Sequence, residues 1–385
     1  MNKIAFVVAV PLTAQAFLKE HFALLKKKYD VHLFANFIGE DDSKDEFEAI
    51  GIQCHHIPIV RKISIFQDIR ALIVLVKMLR TERFASVHSV TPKAGLISSV
   101  ASWLTGVPRR IHTFTGQVWA TRKGFMRAIL RLMDKIIAFL DTDILIDGEG
   151  QRRFLIQQGI ISEKKSLVLA NGSIAGVKLD KFVISDDIRI GERNKLGIPD
   201  DSVVYVFLGR LNRDKGIGEL LSAFNQLVLE CPKAKLLLYG IDEDGYDNTI
   251  NLYPNIIKGE NYFFPGLTKT PYRSLQAADV FVLPTWREGF GVSVLEAQAL
   301  ALPVITTDAY GVVDASIVGV TGLRFGVSDV DGLLKCMLIY YRNPELRKLH
   351  GAAGRLRVEN QFDNSIVSKA WLDFYEKILD FKLNG

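Results

Sequence analysis

The sequence predicts an α/β protein built from two doubly wound parallel-sheet domains, and three observations carry that expectation. Its 385 residues exceed one ordinary domain and fit two of about 190 each. Through residue 170, short β-rich runs alternate with longer helical patterns, the signature of βαβ units. The same alternation restarts at Val203, beyond the break Asn171-Gly-Ser-Ile-Ala-Gly176 and a charged run over 185–194. A linker is therefore placed between Lys181 and Arg193, and the chain is divided into domains 1–185 and 186–385.

Strands are expected at 4–9, 31–35, 52–57, 86–89, 109–113, 142–146 and 166–169. In the second half they are expected at 203–208, 235–239, 262–264, 279–283 and 303–306, with a helical tail from Val327. The first run imitates a secretory leader, with a lysine before an apolar stretch. It is short, lacks a small-x-small cleavage site and flows into a helix pattern near Ala14, so it reads as a strand. No internal repeat or low-complexity tract interrupts the pattern.

Composition narrows the class. Apolar residues make up 48% and charged residues 24%, and no stretch has the uninterrupted apolar length of a membrane span, so a soluble globular protein is expected. Cys54, Cys231 and Cys336 are far apart and odd in number, which suits a reducing cytoplasm and argues against a disulfide framework or a zinc site. The net charge of +5 hides an asymmetry: residues 1–185 carry 26 Lys and Arg against 17 Asp and Glu, the remainder 22 against 26. Such an imbalance is either simply solvated or marks a basic half facing an acidic surface or substrate.

Ligands of parallel α/β sheets bind beyond the carboxyl ends of the strands, so the motifs that matter follow strands. The loop after the first strand, Val10-Pro-Leu-Thr-Ala-Gln15, has no glycine, which removes the main support for a dinucleotide oxidoreductase. The most informative stretch is Phe281-Val-Leu-Pro-Thr-Trp-Arg-Glu-Gly-Phe-Gly-Val-Ser-Val-Leu-Glu296. It runs from a buried strand through a turn, where Gly289 and Gly291 allow close approach of a ligand, into a helix opening at Val292. Unpaired amides at a helix start bind phosphate through backbone dipoles. Glu288 before the helix and Glu296 about one turn inside it can each accept hydroxyl hydrogen bonds, one at either end of an extended ligand. Phosphate flanked by hydroxyl-rich groups describes a nucleotide sugar; the same spacing also fits an ordinary strand–turn–helix with two solvated acids.

A second loop supports the first reading. Gly209-Arg210-Leu-Asn-Arg-Asp-Lys215-Gly216 follows the 203–208 strand, with Arg210 offering a planar fork and Lys215 a point charge to a diphosphate. In the first half, His88-Ser-Val-Thr-Pro-Lys93 and His112-Thr-Phe-Thr115-Gly116 lie at sheet edges. His88 is there either a proton-carrying group or a strand-end residue, and Lys93 either meets an anion or is solvated. Residues 118–140 interleave Trp119, Phe125, Met126, Ile129, Leu130, Leu132 and Met133 with Arg122, Lys123, Arg127 and Arg131. That pattern suits a helix with its core face inward and a basic, membrane-facing side outward. The 63–84 segment is a second such candidate, whose more apolar character favours plain core.

Taken together, Gly209-Arg210…Lys215-Gly216 and Glu288-x7-Glu296 resemble the retaining glycosyltransferases of family 4, whose GT-B fold has two Rossmann-like domains facing a central cleft. Thr91-Pro-Lys-Ala-Gly95, Phe114-Thr-Gly-Gln-Val-Trp119 and Asn171-Gly-Ser173 are similar to the branch that builds bacterial O-antigen, capsule and lipid-linked oligosaccharides. The resemblance implies a UDP-sugar donor, no metal cofactor, a polyprenyl-diphosphate-linked acceptor, no nucleic-acid partner, and a peripheral location on the cytoplasmic face of the membrane. It also implies that the last helix returns to the N-terminal domain. Glu288, Arg210 and Lys215 would be the catalytic residues. Gly209, Gly289, Phe290, Gly291, Val292 and Glu296 would complete the donor site, Glu296 on the ribose and Glu288 on the transferred sugar. His88, Lys93, His112, Thr115 and Gly116 would face acceptor or sugar.

The chain departs from the family pattern in two places. Many relatives carry a histidine where Thr115 stands, so either the Thr115 hydroxyl or His112 would have to serve the donor sugar, and the missing glycines after the first strand leave the acceptor loop unassigned. A nucleotide-sugar epimerase and a catalytically silent nucleotide-sugar-binding protein remain the competing expectations.

Overall fold

The computed structural model describes residues 1–60 and 64–380. They form two compact units, one of residues 1–175 with the chain from Asn364 onward, the other Gly176–Asp363. The division lies ahead of the 185/186 boundary expected, because Val177 and Phe182 already pack into the core of the second unit.

The first unit carries β1 (Lys3–Val7), β2 (Asp30–Ala35), β3 (Gln53–His56), β4 (Ser86–Val90), β5 (Arg109–Phe114), β6 (Asp143–Ile146) and β7 (Ser166–Val168). All pairings are parallel and the order is β3-β2-β1-β4-β5-β6-β7. Parallel strands with helices on both faces must be buried throughout, which is why β1 reads Lys-Ile-Ala-Phe-Val. β4 is buried throughout although it reads Ser-Val-His-Ser-Val, so its polar groups need partners inside the sheet layer.

Those partners come partly from the C-terminal helix Asn364–Asp380. Trp371 lies between two imidazoles, stacked on His21 at 4.6 Å and on His88 at 4.9 Å. Tyr375 Oη lies 2.8 Å from His88 Nδ1, and Ser368 Oγ lies 2.8 Å from His21 Nδ1.

Two helices of this unit leave apolar side chains outward. The helix Gly124–Leu140 buries Asp134, Ile137 and Ala138. Phe125, Leu132 and Phe139, seven residues apart and so on one face, are exposed together with Met126. Arg122, Lys123 and Lys135 are exposed beside them. Asp134 accepts from Trp119 Nε1 at 2.7 Å, and burial pushes its carboxyl up to about 7. Of the two readings of the 63–84 segment, plain core does not hold for all of it. Ile63 lies outside the described residues, and the helix Ile65–Thr81 buries Ala71, Leu75 and Leu79 while exposing Ile65, Phe66, Ile69 and Ile73. Its apolar content is spread around the helix, and only one side meets the sheet.

The second unit carries β8 (Val203–Leu208), β9 (Ala234–Tyr239), β10 (Tyr262–Gly266), β11 (Val280–Leu283), β12 (Val304–Thr307) and β13 (Gly322–Phe325). Its sheet is also parallel, in the order β10-β9-β8-β11-β12-β13. β13 is the strand that periodicity missed. As a short edge strand reading Gly-Leu-Arg-Phe, it has too few apolar residues to register. From Val330 the unit is helical, through Val330–Arg342 and Pro344–Gln361.

Candidate functional site

Strand order brings the two ligand loops of the second unit together. β8 and β11 are neighbours where the strand order reverses, with Tyr205 opposite Val280 and Val206 opposite Phe281. The chains leaving Leu208 and Leu283 therefore emerge side by side at the carboxyl edge, the usual place for a ligand in a doubly wound sheet. After β8 the half-buried Gly209 and the exposed Arg210 lead to the short turn Arg213–Lys215, capped by Asn212, whose Oδ1 accepts from the Lys215 amide at 3.2 Å. Gly216 follows at φ 70° and faces the Pro284 carbonyl so closely that a Cβ would overlap it. Only glycine permits both the backbone angle and that approach. After β11, Gly289 is buried in the turn and Gly291, at φ 95°, caps the helix Val292–Ala299. The first turn of that helix presents amides without intrahelical partners and a partial positive charge.

Charged side chains on this edge are paired in a way that a diphosphate could replace. Lys215 Nζ is ion-paired with Glu288 Oε1, both side chains less than a fifth exposed. Arg210 Nη1 donates to the Glu243 carboxylate at 3.2 and 3.3 Å, and Asn212 Nδ2 donates to it at 2.6 Å. Glu296 has no hydrogen-bond or ion-pair partner among the described residues. It keeps part of its surface open, and loss of solvent around its carboxyl pushes it up to about 7. A carboxyl without a protein partner beside a helix start is poised to accept hydroxyl hydrogen bonds once ionised.

Phe290 can serve a ligand through its backbone amide only. Its ring is buried 5.5 Å from that of Phe362, which leaves only its backbone for a ligand. Val292 is half-buried at the first helical position.

The first unit treats its five candidates differently. His88 is fully buried, with Nε2 2.7 Å from Thr113 Oγ1 and Nδ1 on Tyr375, and burial holds its pKa well below the usual range. A ring with both nitrogens bonded inside the core does not contact a ligand, so His88 is a core histidine. His112 is also buried, but its Nε2 has no hydrogen-bond partner among the described residues, so its ring is not satisfied as that of His88 is. It is buried against Phe114 at 4.5 Å, its Nδ1 is 2.8 Å from Ser89 Oγ, and burial pushes its pKa down to about 3. Its ring fills the space beside Gly95, where a Cβ would meet Cε1 at 2.5 Å. Lys93 pairs with Asp68 Oδ1 at 2.7 Å. Thr115 and Gly116, half-buried in the loop after β5, keep surface available.

Two groups escaped the sequence reading. Glu243 stands in the turn after β9, far from either motif in sequence. Arg287 and Asp214, each one residue before Glu288 and Lys215 in sequence, form an ion pair at 2.7 Å. Among the described residues no group of three or more His, Cys, Asp or Glu could hold a metal ion, and no helix is long and apolar enough to cross a membrane.

Comparison with known proteins agrees with this architecture. The profile for "Glycosyl transferases group 1" matches residues 189–357, and that for "Glycosyl transferase 4-like domain" matches 22–172. The capsular polysaccharide biosynthesis glycosyltransferase CapM of Staphylococcus aureus is 33% identical over 363 residues, 92% of either chain. The Escherichia coli UDP-Gal:alpha-D-GlcNAc-diphosphoundecaprenol alpha-1,3-galactosyltransferase is 25% identical over 316 residues, 80% of either chain. Among solved structures, Anabaena HepE in complex with UDP and glucose superposes with a TM-score of 0.80 at 17% identity, covering 98% of this chain and 100% of that one. The two parallel-sheet units are those of the GT-B fold, and the chain belongs to the group 1 glycosyl transferases, with a glycosyl transferase 4-like domain in its first half.

Proposed function

We propose that this glycosyltransferase moves a sugar from a UDP-sugar to a polyprenyl-diphosphate-linked acceptor, with retention at the anomeric carbon, in the assembly of a bacterial surface polysaccharide or oligosaccharide. The observation that carries the reading is the convergence of Arg210, Lys215, Glu288 and the Glu296-bearing helix start on one sheet edge. Arg210 and Lys215 would exchange their carboxylate partners for the donor diphosphate, aided by the amides at Gly291 and Val292. Glu296 would accept from ribose hydroxyls. Glu288, freed from Lys215, would accept from the transferred sugar.

The bond from the anomeric carbon to the UDP oxygen then breaks while the acceptor oxygen bonds to the same face of that carbon. The acceptor hydroxyl proton passes to the departing phosphate oxygen, so UDP leaves and no strong protein base is needed. The protein supplies positioning and charge stabilisation. The names of the Escherichia coli relative, with its UDP-Gal and diphosphoundecaprenol, and of the HepE complex with UDP support this donor and acceptor class. On the acceptor side, Thr115, Gly116 and Lys93, the last paired with Asp68, are the candidates that keep surface. The exposed ridge of Phe125, Leu132 and Phe139 flanked by Arg122, Lys123 and Lys135 suits an anionic membrane, and so a peripheral position on its cytoplasmic face.

UDP release from a panel of UDP-sugars, measured with and without a lipid-linked acceptor, tests the reading. Acceptor-dependent release that is lost in Arg210→Ala and Lys215→Ala is expected. Conversion of the donor without acceptor would mean an epimerase, and UDP binding with no turnover of any donor would mean a silent binding protein.

A further inference from the structure

The residues next to the donor contacts form a second, inverted pair. Asp214-Lys215 on one loop lies against Arg287-Glu288 on the other, so that Lys215 meets Glu288 while Asp214 meets Arg287. Arg287 donates from Nε at 2.9 Å and from Nη2 at 2.7 Å to the same Asp214 oxygen. The two side chains are 17% and 22% exposed, which sets this pair apart from solvated surface pairs of little worth.

The backbone reinforces the link. The Asp214 carbonyl accepts from the Trp286 amide at 2.8 Å and from Thr285 Oγ1 at 3.1 Å. Trp286 in turn donates from Nε1 to Glu219 at 3.0 Å, and the Arg213 guanidinium lies 4.9 Å from its ring centroid. Thr307 of β12 anchors the second loop by donating to the Thr285 carbonyl at 2.6 Å.

Lys215 and Glu288 cannot stay paired when one takes a diphosphate and the other sugar hydroxyls. The loops then lose one of their two side-chain ion pairs at the moment when their spacing matters. We propose that Asp214 and Arg287 are positioning residues for the donor, their ion pair holding the two loops in register while Lys215 and Glu288 are engaged by the nucleotide sugar. The proposal rests on the donor site argued above. Arg287 has a second effect: it balances the Asp214 carboxylate, which would otherwise compete with the diphosphate for the adjacent Lys215 and repel the incoming anion.

UDP affinity measured by calorimetry on the full chain tests this with four variants, Lys215→Ala, Asp214→Ala, Arg287→Ala and the double Asp214→Ala/Arg287→Ala, each checked for an unchanged melting curve. Arg287→Ala is expected to weaken UDP binding by about tenfold, as one unbalanced charge a few ångströms from the phosphates would. The double variant should recover part of that loss, because it also removes the competing carboxylate. The part that is not recovered reads the loss of register between the loops; a double variant back at wild-type UDP affinity would mean that the pair does no positioning, and that outcome overturns the proposal. UDP affinities of all three Asp214 and Arg287 variants within about twofold of wild type, with Lys215→Ala impaired, overturn it as well. Lys215→Ala without effect would instead refute the diphosphate assignment. Should Arg287→Ala not fold, Arg287→Lys keeps the charge and loses the fork, and is expected to retain more UDP affinity than Arg287→Gln; equal affinities would count against the electrostatic part.

Discussion

Replacing Glu296 by glutamine turns the raised carboxyl pKa into a measurement. With a pKa of about 7, Glu296 is about one-tenth ionised at about pH 6 and about nine-tenths at about pH 8. If ribose hydroxyls bind the carboxylate, donor affinity rises about tenfold across that interval, about 1.4 kcal/mol. The sign follows from the burial: desolvation favours the neutral acid in the empty site, so the binding-competent form is gained as pH rises through 7.

Glu296→Gln keeps the shape and removes the titration. It should flatten the profile and, at about pH 8, cost about 1.5–3 kcal/mol, the worth of a hydrogen bond to a charged group. The assay is calorimetric or fluorescence titration with UDP-glucose rather than UDP, because a terminal phosphate titrates at about 6 and would blur the profile. A wild-type profile without a rise between about pH 6 and about pH 8, or one that survives in Glu296→Gln, would refute the placement of the ribose on Glu296.

Acid should unfold the first unit through its buried imidazoles rather than through carboxylates. His21 is pushed down to about 4, His112 to about 3, and His88 is also lowered, all by burial. Stability is then full above the unfolded value of 6.5 and is lost as pH falls from there through the folded values, by about 3 kcal/mol for His21 and about 5 kcal/mol for His112. Denaturant unfolding at stepped pH reads this directly, and stability unchanged down to about pH 5 would contradict it. On vesicles, neutralising Arg122, Lys123 and Lys135 together should weaken binding to anionic bilayers by about 3 kcal/mol, more than a hundredfold, with little change on neutral ones. Flotation indifferent to anionic lipid would remove the membrane from the account.

The loops of the candidate donor site were legible because their evidence is local. The run Val-Val-Tyr-Val-Phe-Leu of β8 announces a buried strand, Gly209-Arg210 and Lys215-Gly216 follow it directly, and the turn with Glu288 is tied to its helix by adjacent glycines. Strand adjacency supplied the rest, since β8 and β11 become neighbours only through the sheet order. His88 misled because a histidine at a strand end looks the same in sequence whether it faces a ligand or the core. Its partners Tyr375 and Thr113 are set by long-range packing. The helix Ile65–Thr81 stayed open between core and an outward apolar face for a related reason: its apolar content does not tell which side finds a neighbour. Asp214 and Arg287 were invisible because each sits in a motif already read for the residue beside it.

A structure with UDP bound bears most directly on the central claim. The diphosphate is expected against Arg210, Lys215 and the first amides of the helix Val292–Ala299, with Lys215 parted from Glu288 and the ribose hydroxyls on Glu296. UDP seated away from that edge, or bound there with the Lys215–Glu288 pair intact, would contradict it.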